Sequence, residues 1–303
     1  MALSFLSAVS ALRAAGEPSR LRLLALLTRA ELTVGELCEI LGQSQPRVSR
    51  HLKILASAGL LDRFREEQWV YYRVPTSGEA TKVVEQLLSL LADDDEVLER
   101  DRRRMDNVIA ARALQTTTRS IEALSPECLA DIAPLVLREL PQESVGALLD
   151  VGTGSGHLLE LLAPRAARAV GIDISTDALR LARTNVHGAG LHHCELHKGD
   201  MYDLPFPTGT FDTVTADRVL ANAQRPLLAL GEIARVLRAG GRLVLIEDFD
   251  ALADSVGGNP INTLRDWLLR SGLECTRIHP VDTRLAHLLI AVGQRLERAT
   301  AVA

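Results

Sequence analysis

The spacing of apolar residues changes character along the chain. Up to about Val74 there are short helical patterns and then an alternating, aromatic stretch. From about Pro75 to Gln142 the pattern is almost wholly helical. From Val145 onward short apolar runs alternate with helical ones, which predicts βαβ units around a mostly parallel sheet. Within the first zone, Thr33 to Leu60 divides into two helices. Leu37, Ile40 and Leu41 form the inward stripe of the first, Thr33 and Glu36 have the spacing of a capping box, and Gly42 suits a left-handed exit. Ser44 can cap the second helix, Pro46 is tolerated in its first turn, and Val48, Leu52 and Leu55 point inward. That leaves Gln45, Arg47, Ser49, Arg50 and Lys53 on the opposite face.

Two helices joined by so tight a turn suit a major groove. Arg and Gln can pair with base edges, while Ser and Lys hold phosphates. The next stretch, Leu61 to Val74, interleaves aromatic and basic residues and reads as a β-hairpin wing, bringing Arg63, Arg65, Gln68 and Tyr72 to the same task. Residues 1–80 carry ten Lys/Arg against eight Asp/Glu, so this part is relatively basic although the whole chain has a net charge of -5. The dense charge run Asp93–Arg104 places acids before arginines at helical spacing, as in Glu96–Arg100 and Glu99–Arg103, and reads as a solvated helix face.

The third zone opens on "LLDVGTGSGHLLELLA", an apolar strand, an acid and then Gly152, Gly154 and Gly156 at alternate positions around Thr153. Such glycines let a backbone turn sharply and approach a ligand, with helix amides following. Asp150 can bind an amino group. Asp173 ends the next strand, where a carboxylate can accept both ribose hydroxyls, with Ile174 beside it to press on a base. Asp200 and the Met201 amide, after a third strand, can read an adenine edge, and Asp217 after the fourth joins the set. The segment that follows, Ala216 to Pro226, offers no obvious base, so no catalytic residue is assigned. Strand alternation puts His193, Glu195 and His197 on one face; a partly exposed strand face is preferred to a metal site there.

With 303 residues, 47% of them hydrophobic, the chain is long enough for two cores. The four cysteines lack CxxC spacing and read as reduced thiols. No run of about 18 uncharged apolar residues exists to span a membrane. The start lacks the basic segment of a signal peptide. A cytoplasmic location is the expectation.

"SRHLKILASAGLL" followed by "WVYYRV" resembles the arsenic-repressor (ArsR) family of dimeric bacterial regulators over about residues 8–90. The resemblance implies a homodimer through the N-terminal helix and the helix after the wing. It departs where metal sensors carry two cysteines one residue apart: here Cys38 is followed by Ile40 in the second place. The stretch from Leu148 to Gln294 resembles the class I S-adenosylmethionine methyltransferases. That likeness implies Asp150 and Gly152 at the methionine part, Asp173 at the ribose, and Asp200 and Met201 at the adenine. The expected fold class is α/β: an N-terminal winged helix-turn-helix (residues 1–92), a helical connector (93–142) and a Rossmann-like methyltransferase fold (143–303). The expected function is a DNA-binding repressor whose second domain binds S-adenosylmethionine or S-adenosylhomocysteine as effector. The alternative is an active small-molecule methyltransferase with an autoregulatory DNA-binding domain.

Overall fold

A computed structural model describes residues 4–66, 69–76, 78–92, 94–116, 126–141, 143–284 and 286–296. The chain divides into two compact units, residues 1–119 with 187–192, and residues 120–186 with 193–303. Among the described residues, no helix is long and apolar enough to cross a membrane.

The first unit runs α1 (Phe5–Ala15), α2 (Pro18–Leu27), β1 (Leu32–Thr33), α3 (Val34–Leu41), α4 (Gln45–Ser57), β2 (Asp62–Glu66), β3 (Trp69–Arg73), α5 (Glu79–Leu88) and α6 (Glu96–Thr116). The three strands form an antiparallel sheet in the order β1-β3-β2. Helix α3 starts in the expected capping box, with Thr33 and Glu36 each accepting the other's backbone amide, and ends at Gly42 with φ +65°. At α4, Ser44 occupies the cap position but makes no side-chain cap bond. Pro46 has no amide to offer, and the Arg47 amide bonds the Ser44 carbonyl instead. Leu37, Ile40, Val48, Leu52 and Leu55 are fully buried in one core, each contributing about 1.5–3 kcal/mol.

The described part of the charge run is mostly exposed, as expected of a solvated face, with Asp101 the exception. Asp95 Oδ1 accepts the amides of Val97 and Leu98, so α6 begins afresh after α5. The Glu99–Arg103 pair forms at 3.1 Å on the surface. Asp101, however, is buried and accepts Arg22 Nε and Nη2 at 2.6 and 2.7 Å. Arg112 donates Nε and Nη2 to Glu36 Oε1 at 2.9 and 2.6 Å, and Arg104 Nη1 reaches the Ile40 carbonyl at 3.1 Å. Helix α6 therefore grips both ends of α3, because Arg104 and the buried Arg112 reach across to it.

The second unit begins with α7 (Pro126–Arg138) and continues β4 (Gly146–Val151), α8 (His157–Leu162), β5 (Ala166–Asp173), α9 (Thr176–Gly188), β6 (Cys194–Lys198), β7 (Phe211–Asp217), α10 (Pro226–Val236), β8 (Leu237–Asp248), α11 (Phe249–Val256), α12 (Pro260–Arg270), β9 (Leu273–Asp282) and β10 (His287–Arg295). Its seven strands run β6-β5-β4-β7-β8-β10-β9, with only the pairings of β10 antiparallel. The mostly parallel sheet is the expected one. The chain order steps outward on both sides of β4, and such a switch point opens a crevice at the carboxyl ends of the strands. Asp250 and Asp254 lie on α11, which is capped by Asp248. Gly257 ends that helix and Asn259 caps α12, so "GGNPIN" is a helix–helix joint.

Candidate functional site

Two surfaces carry candidate chemistry, one in each unit. On α4, Gln45, Arg47, Ser49, Arg50 and Lys53 are all exposed while Val48, Leu52 and Leu55 are buried. The helical period thus delivers an unbroken polar face. On the hairpin, Arg63 and Arg65 are exposed and alternate with Phe64 and the buried Glu66. Glu66 therefore does not face outward to repel phosphate. Tyr72 is a correction: it is only 8% exposed and packs in the core. It belongs to the central strand, directly opposite Leu32 on one side and Arg63 on the other, so its neighbours cover it. Gln68 lies outside the described residues, as do residues 117–125 of the connector.

In the second unit a cleft of about 800 Å³ opens at the strand ends. Gly152, Gly154, Asp173, Ile174, Asp200, Met201 and Asp217 all line it. Gly152 has φ +68°, and a Cβ there would meet Val219 Cγ1 at 2.4 Å, so no other residue fits that turn. Gly156, at φ +81°, begins α8 below the wall, where a Cβ would press on Ala182 at 3.2 Å. Asp173 is turned toward the glycine loop: its Oδ2 accepts the Gly154 amide and its Oδ1 the Ser175 amide, both at 2.8 Å. Ile174 is 68% exposed beside it, an apolar surface at the lip of a cleft. Asp200 Oδ1 accepts the Tyr202 amide at 2.9 Å.

Asp150 and Thr153 are not among the lining residues. Asp150 lies under the glycine loop, where its two oxygens accept the hydroxyls of Thr215 and Thr153, both at 2.7 Å. Burial pushes its carboxyl up to about 7 against the pull of those two hydroxyls, and the charges of Asp217 and Asp173 add to the rise. Asp217 is raised as well, first by burial, with Arg218 at 3.2 Å opposing the shift. The cleft continues past Asp217 to Arg218, Val219, Ala221, Asn222, Asp248 and Ala251. Arg218, Val219, Ala221 and Asn222 belong to the segment Ala216 to Pro226 that the sequence singled out, whereas Asp248, Ala251 and Tyr202 were not foreseen.

The His193, Glu195, His197 face is already occupied. Glu195 pairs with Arg168 at 3.1 Å and with His197 at 3.3 Å, and His193 Nε2 bonds the Ala163 carbonyl. No cluster of three metal-binding side chains forms among the described residues.

Positive φ at the glycines, a lip residue left apolar, and acids at successive strand ends fit a nucleoside joined to a charged amino acid. Comparison with known proteins points the same way. Residues 149–245 match the family described as a methyltransferase domain, and residues 17–63 match the bacterial regulatory proteins of the arsR family. The chain is 40% identical over 105 residues to a phosphatidylethanolamine N-methyltransferase of Cereibacter sphaeroides, covering 34% of this chain and 51% of that protein. It is 39% identical over 115 residues to a demethylmenaquinone methyltransferase of Thermus thermophilus, covering 37% and 50%. It spans about half the length, or less, of the curated relatives it matches. Among solved structures, the [4+2]-cyclase SpnF superimposes with a TM-score of 0.51 at 19% identity, over 64% of this chain and 94% of that one. At that identity the likeness speaks for the fold alone.

Proposed function

We propose a function for a chain that joins an arsR-family helix-turn-helix domain, residues 17–63, to a class I methyltransferase domain, residues 149–245: it binds operator DNA as a dimer and methylates a small acceptor. This reverses the preference drawn from the sequence, which put the effector role first. One observation carries it. The cleft runs on from the glycine loop past Asp217 to Asn222, Asp248 and Ala251, leaving room beside a bound nucleoside for a second molecule.

S-adenosylmethionine, when bound, supplies an electrophilic methyl group. The protein's part is placement, because an in-line displacement is governed by proximity more than by strong acid–base groups. Asp173 accepts the ribose hydroxyls, Ile174 covers the base, Asp200 and the Met201 amide meet the adenine edge, and the Gly152–Gly154 backbone makes room for the amino-acid part. Asp150 acts from below, as a buried negative charge that favours a cation. Where the acceptor carries a proton, Asp217 is the carboxylate within the cleft whose proton affinity burial has raised.

In the first unit the exposed Gln45, Arg47, Ser49, Arg50 and Lys53 enter the groove, and Arg63 and Arg65 approach the backbone. Phe5 and Leu6 of α1 are 81% and 78% exposed, and Leu90 beyond α5 is 80% exposed; apolar surface of that kind fits a second copy of the chain.

Methyl-labelled S-adenosylmethionine offered with phosphatidylethanolamine, a demethylated quinone, small thiols, arsenite and phenols tests the reading. Label should appear in one class of product. Binding of the nucleoside with no label transferred to any acceptor would shift the function to the second reading, in which the nucleoside is an effector of DNA binding. That reading is favoured by one feature: no histidine, cysteine or lysine lines the cleft among the described residues. It requires about 1.4 kcal/mol of coupling for a tenfold change in operator affinity, so equal operator affinity with and without either nucleoside removes it.

A further inference from the structure

Glu247, near the end of β8, is fully buried, and no ion pair reaches it among the described residues. Instead its Oε1 accepts the Leu220 amide at 2.8 Å and its Oε2 the Ala221 amide at 3.1 Å. Those amides belong to the segment after β7 that forms the far half of the cleft, through Arg218, Val219, Ala221 and Asn222. Nothing in the assigned chemistry uses this carboxylate. Burial pushes its proton affinity up to about 7, and the neighbouring Asp217 adds to that, so the group is held at a cost in stability.

The segment it holds is itself unusual. Arg218 has φ +50°, the one positive value outside glycine among the described residues, and its amide is tied to the Ile246 carbonyl at 2.7 Å. A strained residue of this kind persists only where its surroundings over-determine it. The next residue, Val219, presses against the Cα of Gly152, as the 2.4 Å that a Cβ there would leave shows. One segment therefore touches the glycine loop with Val219 and the acceptor half with Ala221 and Asn222.

We propose that Glu247 is a positioning residue of the cleft, which by clamping two successive amides seats Val219 on the glycine loop and so sets nucleoside fit and acceptor placement together. The acceptor part rests on the methyltransferase reading, whereas the nucleoside part needs only binding. In its ionised form a carboxylate is suited to this because both of its oxygens accept, while an amide of the same size would present an N–H to one of the two donors.

Glu247→Gln in the full-length protein is the test, with S-adenosylhomocysteine as the probe. Hydrogen exchange at the Leu220 and Ala221 amides should accelerate about tenfold or more, and calorimetric affinity for the probe should fall about tenfold, the effect of losing a charge-assisted hydrogen bond. Thr213→Val is the control for a merely structural role. It removes a buried hydroxyl bonded to the Val145 carbonyl in the same sheet, away from the cleft, and should lower the melting temperature while leaving affinity within about twofold. Should the Glu247 variant not fold, Val219→Ala takes its place, with an expected loss of about threefold in probe affinity. Exchange at wild-type rates, probe affinity within about twofold of wild type, or an equal loss of affinity in the Thr213 control overturns the proposal. A wild-type protein that does not bind the probe defeats the functional reading itself, and the exchange rates at residues 220 and 221 then judge the clamp alone.

Discussion

Around the helix-turn-helix, the buried Asp101 and Glu31 and the half-buried Glu36 of the first unit meet arginines. Asp101 takes Arg22 through two hydrogen bonds, Glu36 takes Arg112 through two, and Glu31 takes Arg73 at 2.8 Å. At the cleft of the second unit Asp150 and Glu247 are buried as deeply but are held by hydroxyls and amides, which carry no charge. Away from the cleft the second unit also pairs its acids, as Glu195 with Arg168 and Glu139 with Arg277 show. The difference therefore belongs to the cleft. Charges neutralised within the fold make a fixed scaffold. Charges left without a cation leave the strand ends negative, which under the proposed function a positively charged ligand would complete.

The largest effect should come from breaking a neutralised pair. Arg112→Ala strands Glu36 against the α3 capping box and should cost the first unit about 3 kcal/mol in urea unfolding. A loss below about 1 kcal/mol would show that solvent already screens the pair, and the contrast with the cleft would weaken.

The next test is pH. Asp150 and Glu247 titrate near 7 when folded, against values near 4 in an unfolded chain. The folded state holds the extra protons between those values. Stability of the second unit should accordingly decline as pH rises from about 4 to 7 and level off above. A cation binds the ionised form, so S-adenosylmethionine affinity should rise about tenfold from pH 6 to 8. S-adenosylhomocysteine, without the sulfonium charge, should rise less steeply. Asp150→Asn should flatten both slopes in calorimetry; an unchanged slope would remove Asp150 from the account.

The smallest effect is expected from Tyr72→Phe. A side chain enclosed in the first unit's core cannot touch DNA, so operator affinity should move by less than about twofold. A larger loss would return Tyr72 to the DNA-facing set.

Much of this architecture was legible in residue order. Local rules settle a capping box at Thr33 and Glu36, a left-handed exit at Gly42, the polar face of α4 and the turn at Gly152, because each depends on neighbours a few positions away. The strand ends carrying Asp173, Asp200 and Asp217 could be placed for the same reason. Reasoning of this kind failed at Tyr72, Asp101 and Glu247. Tyr72 alternates like an outward residue and is covered by a flanking strand. Asp101 sits in a run of charges and turns inward to an arginine 79 positions away. Glu247 did leave a trace, an acid directly after the buried run Leu243–Ile246, but a trace does not say which amides it will hold.

By itself the sequence determined the two fold types, the polar face of α4 and the glycine turn, since helical and strand periods and backbone freedom are properties of short stretches. The tertiary structure alone decided which charges would be paired, which would face the cleft, and that a segment after β7 would be seated on the glycine loop. Those outcomes depend on distance and desolvation between residues far apart in the chain, and both exist only once the strands have been brought side by side.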